Sequence, residues 1–229
     1  MSDYLSRTKT LLGDSVVESF KDKAIMIFGL GGVGGTAFEC LVRSGFKSFI
    51  IVDFDKVDVT NLNRQILYTS KDIGKNKVDI AKQKALSINP DLKIEIYNEF
   101  VDNQTIQKFK NSKIYYIVDA IDKIPSKIAI VKFAQENNIK MIMSLGMGNR
   151  VDPEKVTLTR LDKTSNDALA KKIRSELRKE NIDLKTINVV FSKEEPLVKS
   201  NVVSSMMMVP SEAGLLIAKQ IINDLSKGE

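Results

Sequence analysis

Histidine is absent from this 229-residue chain, and cysteine occurs once, as Cys40. Without an imidazole there is no Ser-His-Asp or Cys-His nucleophile pair and no histidine general base, and most zinc hydrolase geometries are excluded. A single cysteine excludes an intramolecular disulfide and a four-cysteine zinc site, and makes a reducing, cytosolic setting the expectation. No apolar run is long enough to span a bilayer, and the opening Met1-Ser2-Asp3-Tyr4-Leu5-Ser6-Arg7 has no apolar signal core. The sequence therefore reads as a soluble, cytoplasmic protein with no membrane partner. Chemistry is left to Asp, Glu, Lys, Arg, amides, backbone donors and metal ions. That set suits nucleotidyl transfer, which rests largely on positioning and on neutralising phosphate charge.

The apolar fraction, 43%, is ample for a sizeable core, and the length suits a single α/β domain. A net charge of +6 permits a polyanionic partner such as RNA. Apolar runs predict strands at 24–29, 48–53, 92–97, 114–119 and 139–143, with helical spacing near 33–44, 75–88, 103–110 and 124–137. Such alternation predicts an α/β fold: a Rossmann-like, doubly wound, mostly parallel sheet. Residues 146–229 form a C-terminal extension of the same domain, with strands at 155–161 and 188–192. A basic helix is expected at 168–180, capped from Thr164-Ser165-Asn166-Asp167, and a last helix opened by Pro210. Met206-Met207-Met208 reads as strand or core.

Two stretches carry the functional signal. Gly29-Leu30-Gly31-Gly32-Val33-Gly34 joins the first strand to a helix, the setting in which backbone N–H groups meet a phosphate. Asp53, at the end of the second strand, stands where a carboxylate accepts hydrogen bonds from ribose hydroxyls. An NAD enzyme would show both. Asn61-Leu62-Asn63-Arg64-Gln65 is the discriminating feature: Arg64 can grip phosphate with two prongs, and Lys77 can supply a second cation. A departing pyrophosphate needs two cations there and a nicotinamide does not, so the nucleotide is read as ATP; Lys75 is read as a solvated charge. Asp119 and Asp122 close the fourth strand at the same crevice, where either could hold Mg²⁺, Asp122 being the better placed. Helix capping or a loop hydrogen bond is the open alternative for Asp119. Cys40 is read as an apolar filler.

These residues resemble the nucleotide site of the ATP-dependent adenylating superfamily of ubiquitin-activating enzymes, which includes ThiF, MoeB and HesA proteins. The matching positions are the glycine loop with Gly29, Gly31, Gly32 and Gly34, then Asp53-Phe54-Asp55, Asn61 to Gln65, Lys77 and Asp122. The resemblance implies that Asp53 holds the ribose, Arg64 and Lys77 the phosphates, and Asp122 the Mg²⁺. It places Asn61 and Asn63 in the wall of the phosphate pocket. It further implies a homodimer in which Arg7 reaches the ATP of the other subunit, and it leaves room for K⁺ or Na⁺ as an additional cofactor.

Within that superfamily the chain is similar to the tRNA threonylcarbamoyladenosine dehydratases over residues 4–225. The similarity lies in Ser6-Arg7-Thr8, Val118-Asp119-Ala120-Ile121-Asp122, Gly146-Met147-Gly148-Asn149-Arg150-Val151-Asp152-Pro153, Phe191-Ser192-Lys193-Glu194-Glu195-Pro196 and Val209-Pro210-Ser211-Glu212-Ala213-Gly214. The activity so implied is ATP-dependent cyclisation of N6-threonylcarbamoyladenosine beside the tRNA anticodon. The modified anticodon loop would be the substrate, and the basic helix a candidate tRNA face. Paired CxxC zinc motifs, typical of sulfur-carrier activators, and a catalytic cysteine, typical of ubiquitin activators, are both missing here. The second expectation is adenylation of the C-terminal glycine of a ubiquitin-like sulfur carrier, with a carrier or sulfur-transfer protein as partner. The third is an NAD-binding oxidoreductase or a nucleotide sensor. Some relatives are longer before the Phe191 segment, so tRNA contacts carried there are expected to differ.

Overall fold

Seven strands form one sheet in a computed structural model that describes residues 3–198 and 203–226. They are β1 (Ala24–Phe28), β2 (Ser48–Val52), β3 (Lys93–Tyr97), β4 (Tyr116–Asp119), β5 (Lys140–Ser144), β6 (Val156–Arg160) and β7 (Asn188–Ser192). Their order is β3-β2-β1-β4-β5-β7-β6, all parallel except β6, which runs antiparallel to β7. The α/β, mostly parallel fold expected from the alternation is the one observed. β7 and β6 add the extension's strands to the same sheet.

The helices are α1 (Ser6–Leu12), α2 (Asp14–Ser19), α3 (Gly32–Ser44), α4 (Lys77–Ile88), α5 (Ile124–Glu136), α6 (Ala168–Lys179) and α7 (Met208–Ser226). Strand alternation sorts them into two layers. Ile25 and Ile27 face one apolar cluster, built with residues of α1 to α4 and α7. Met26 and Phe28 face another, built with α5 and α6. A central strand buried on both faces must be apolar at every position, as β1 is; each such side chain gains about 1.5–3 kcal/mol on burial.

Four sequence expectations need correction. The pattern at 103–110 yields only a short 3₁₀ turn, Thr105–Phe109. Asp102 accepts the Gln104 and Thr105 N–H groups at 2.8 Å each, and only Ile106 and Phe109 are buried, a spacing of three that suits the tighter helix. α4 begins at Lys77 rather than 75, because Asn76 is drawn into a bridge with Lys56. α7 starts at Met208, so Pro210 sits in its first turn, where a missing N–H costs nothing, but does not open it. Met206, Met207 and Met208 are neither strand nor core: they are 43%, 41% and 44% exposed. α1 and α2, for which no expectation was formed, are short helices with one buried residue between them, Val17.

β1 pairs with β2 on one side and β4 on the other, so the chain's path reverses there and opens a crevice at the carboxyl ends of the strands.

Candidate active site

The turn after β1 is held open by glycine. Gly29 has φ +86°, and a Cβ there would stand 2.7 Å from the Ala120 carbonyl oxygen. At Gly34 a Cβ would stand 1.9 Å from the Gly29 oxygen, so the loop closes on its own helix only without a side chain. α3 then starts with no side-chain cap and no acid in its first turn. Its free N–H groups and the positive end of the helix dipole face the crevice.

That crevice encloses a cavity of about 270 Å³, lined by Gly29, Gly31, Gly32, Asp53, Asp55, Asn61, Arg64, Gln65, Lys77 and Asp122 among others. Residues scattered over ninety positions of sequence thus meet at one place. Asp53 is 8% exposed and ties two loops together: Oδ2 accepts the Leu30 N–H at 2.6 Å, and Oδ1 the Asp55 N–H at 2.8 Å. Burial pushes its carboxyl above the ordinary range, against the pull of Lys77 and of those two N–H groups. Lys77 is buried at the start of α4, its Nζ 2.8 Å from Asp55 Oδ2. Arg64 Nη1 donates to the Thr60 oxygen at 2.7 Å and to Asn63 Oδ1 at 3.0 Å, which leaves the rest of its fork free. Asn61 and Gln65 are buried in the wall, and among the described residues no group donates to Gln65 Oε1.

Four residues named from sequence do not line the cavity. Gly34 acts through close packing. Asn63 sits just outside and braces Arg64 while its Nδ2 donates to the Ser205 oxygen at 2.7 Å. Arg7 is exposed on α1. Asp119 takes the alternative left open for it, a loop hydrogen bond, in place of Mg²⁺ or the cavity: it is fully buried, with Oδ1 3.0 Å from Lys127 Nζ and accepting the Ile121 N–H at 3.2 Å. Its carboxylate faces inward, so of the two acids only Asp122 stands at the rim.

Sequence reasoning missed several groups. Phe54 and Phe100 lie edge to face, with centroids 5.4 Å apart, and both line the cavity although each is over two-fifths exposed. The Tyr68 hydroxyl donates to the Leu30 oxygen at 3.0 Å and steadies the glycine loop; burial raises its pKa, so it stays a donor. Ser126 Oγ donates to the Val101 oxygen at 2.6 Å and fixes the wall after β3. The signal for the aromatics was available: two large apolar residues, each directly following an acidic residue in the loop just past a strand end, Phe54 after Asp53 and Phe100 after Glu99.

Among the described residues no group of three or more acidic or cysteine side chains could hold a metal unaided. Mg²⁺ typically needs less, one or two carboxylates plus phosphate oxygens, and Asp122 fits that donor set. No helix is long and apolar enough to cross a membrane, again among the described residues.

A sequence profile of the ThiF family matches residues 5–226. The tRNA threonylcarbamoyladenosine dehydratase of Bacillus subtilis is 34% identical over 99% of this chain and 96% of its own length. That of Escherichia coli is 33% identical over 75% of this chain and 64% of its own length. The crystal structure of the E. coli enzyme with ATP superposes with a TM-score of 0.93, at 28% identity, covering 98% of this chain and 94% of the other. A second crystal structure of that enzyme holds AMP and superposes with a TM-score of 0.92 at the same identity, covering 97% of this chain and 93% of that one.

Proposed function

The chain belongs to the ThiF family, and on that footing we propose that it spends ATP to dehydrate N6-threonylcarbamoyladenosine in tRNA, next to the anticodon. What carries the reading is one cavity in which a helix N-terminus, two cations and a rim carboxylate converge, in a chain similar over nearly all its length to such dehydratases. The chemistry suits a protein with no histidine. The nucleophile is the threonyl carboxylate, already ionised at neutral pH, so no general base is required for the first step. Its oxygen bonds to the α-phosphorus of ATP while the bond to pyrophosphate breaks. A nitrogen of the same substrate then attacks the activated carbonyl, AMP leaves, and the nitrogen's proton passes to solvent. The sum is loss of one water from the substrate, with ATP becoming AMP and pyrophosphate. Ring closure within one molecule draws its rate from proximity.

The site residues divide this work. Asp53 holds the ribose, and Phe54 and Phe100 offer apolar faces to the adenine. Gly31, Gly32 and the start of α3 receive phosphate oxygens. Arg64 and Lys77 neutralise the departing pyrophosphate, Lys77 by turning from Asp55, while Asn61 and Gln65 close the wall. Asp122 would hold Mg²⁺, which supplies charge neutralisation at the phosphates. We assign no role to a monovalent cation. A second copy of the chain completes the assembly, with Arg7 reaching the neighbouring cavity.

For the tRNA we propose the outer side of α6. Its N-terminus lies beside the carboxyl end of β5, where Asp167 Oδ2 accepts the Gly146 N–H. Lys171, Lys172 and Arg178 are exposed along it, whereas Arg174 turns inward to Thr164 and Lys179 pairs with Glu176. Phosphate contacts there would orient the tRNA without reading its sequence.

ATP–pyrophosphate exchange tests this directly. Exchange stimulated by tRNA carrying the modified adenosine is the expected result. Stimulation by a ubiquitin-like carrier instead would support carrier adenylation, and calorimetry showing NAD bound and ATP not bound would overturn both.

A further inference from the structure

Under the cavity floor lies a charged pair that none of the roles above uses. Lys127 and Asp119 are both 0% exposed. Lys127 Nζ donates to Asp119 Oδ1 at 3.0 Å and to the Ser144 carbonyl oxygen at 2.7 Å. Asp119 is the last residue of β4 and Ser144 the last of β5, so one ammonium group clamps the ends of adjacent strands, at the point where each chain turns into a loop. The clamp continues into the cavity wall, since Asp119 Oδ1 also accepts the Ile121 N–H at 3.2 Å. Loop 120–122 contributes Ala120, Ile121 and Asp122 to the lining. Its other side meets the glycine loop, the Ala120 oxygen standing 2.7 Å from where a Gly29 Cβ would be.

Stability does not account for this pair. Two buried charges cost desolvation that apolar residues of similar volume avoid, and a buried ion pair is often no more stabilising than such a replacement. Among the described residues no protein group donates to Asp119 Oδ2. A charged pair that costs desolvation and sits at strand ends below a ligand cavity needs a positional reason. We propose that Asp119 and Lys127 are positioning residues that fix loop 120–122 against the glycine loop and so set Asp122 at the rim of the cavity. In its consequence for turnover the proposal rests on the ATP reading above; in its consequence for the loop it does not.

The test is the double variant Lys127→Met/Asp119→Leu, which removes both charges together and leaves no lone buried ion. Hydrogen–deuterium exchange over residues 120–123 is compared with the parent, alongside the thermal midpoint, the ATP Kd and pyrophosphate release. Expected is a folded protein with a midpoint close to the parent's and exchange in the loop at least about tenfold faster, since its anchoring acceptor is gone. ATP Kd is expected to change by less than about threefold while kcat falls on the order of 100-fold, the loss that a misplacement near 1 Å brings. A folded double variant with parental loop exchange and parental kcat overturns the proposal. Should the double variant not fold, Lys127→Arg, which keeps the cation but changes its reach, is measured the same way; parental exchange and kcat there would equally count against it. If the parent itself releases no pyrophosphate, the ATP reading fails, and loop exchange alone still decides whether the pair positions the loop.

Discussion

Up to Ser144 the chain gathers its functional groups at the carboxyl ends of parallel strands and in the loops that follow them; beyond it, the loops are held by side chains that reach backbone from distant segments. In the first region Gly29, Asp53 and Asp122 stand at or just past the ends of β1, β2 and β4, and the sheet register fixes their separations. In the second, Arg150 is 5% exposed and donates only to carbonyls: Nε to Glu194 at 2.9 Å, Nη1 to Gly146 at 2.7 Å and Gly148 at 3.1 Å, and Nη2 to Asn166 at 3.3 Å. Glu194 replies with its carboxylate, accepting the Val151 and Asp152 N–H groups. Asn149 exchanges hydrogen bonds with Ser204 and accepts the Leu197 N–H through its carbonyl. The segments around Gly146 and around Phe191 thus hold each other. A parallel sheet brings its strand ends together by register; the segments around Arg150 are held by a network of side-chain-to-backbone hydrogen bonds.

The comparison can be broken at either end. Arg64→Ala should have the largest effect. It removes a cation from the leaving group while leaving strands and core untouched, so pyrophosphate release should fall roughly 10³-fold with an unchanged thermal midpoint. Unchanged turnover would remove Arg64 from the phosphate role. Arg150→Met addresses the other region: four carbonyls lose their donor, and denaturant unfolding should show a loss of about 3 kcal/mol. ATP Kd by calorimetry should stay within about twofold, because no Arg150 contact reaches the nucleotide cavity. A matching loss of ATP affinity would show that the two regions are one unit.

Asp53→Asn should have the smallest effect on turnover and should change how stability depends on pH. Burial raises the folded-state pKa of Asp53 above its unfolded value. The folded protein then holds the proton more tightly, so this group's stabilising share is present at low pH. It is lost as pH rises from the ordinary carboxylate range through the raised pKa. The Asn variant should lack that pH-dependent decline, although it keeps an acceptor for only one of the Leu30 and Asp55 N–H groups, with ATP affinity lower by about tenfold for the lost charged acceptor. A parent whose stability climbs through that pH window, with the variant's remaining flat, would contradict the assignment.

How much was legible in the sequence follows the same division. Glycine turns, strand ends and cations at a helix start are local features, and a parallel sheet turns their order along the chain into proximity. Asp119 stayed ambiguous because a strand-end acid looks the same whether it faces the crevice or the core. The deciding partner, Lys127, lies eight residues on, among the apolar residues of α5. A lysine at a position that helical spacing marks as buried, between Ile124 and Ile130, was the available warning. The Arg150–Glu194 network had no such signal, since it joins side chains to backbone carbonyl and N–H groups, which have no residue type. The helical pattern at 103–110 failed because Asp102 and Thr105 compete for the backbone, and the methionines at 206–208 because hydrophobicity alone does not say what covers it.

The most direct measurement is product analysis on tRNA bearing N6-threonylcarbamoyladenosine, incubated with this protein, ATP and Mg²⁺. The expected result is a nucleoside lighter by one water, with AMP and pyrophosphate formed in equal amounts and none without the modification. Formation of ADP, or equal ATP consumption on unmodified tRNA, would contradict it.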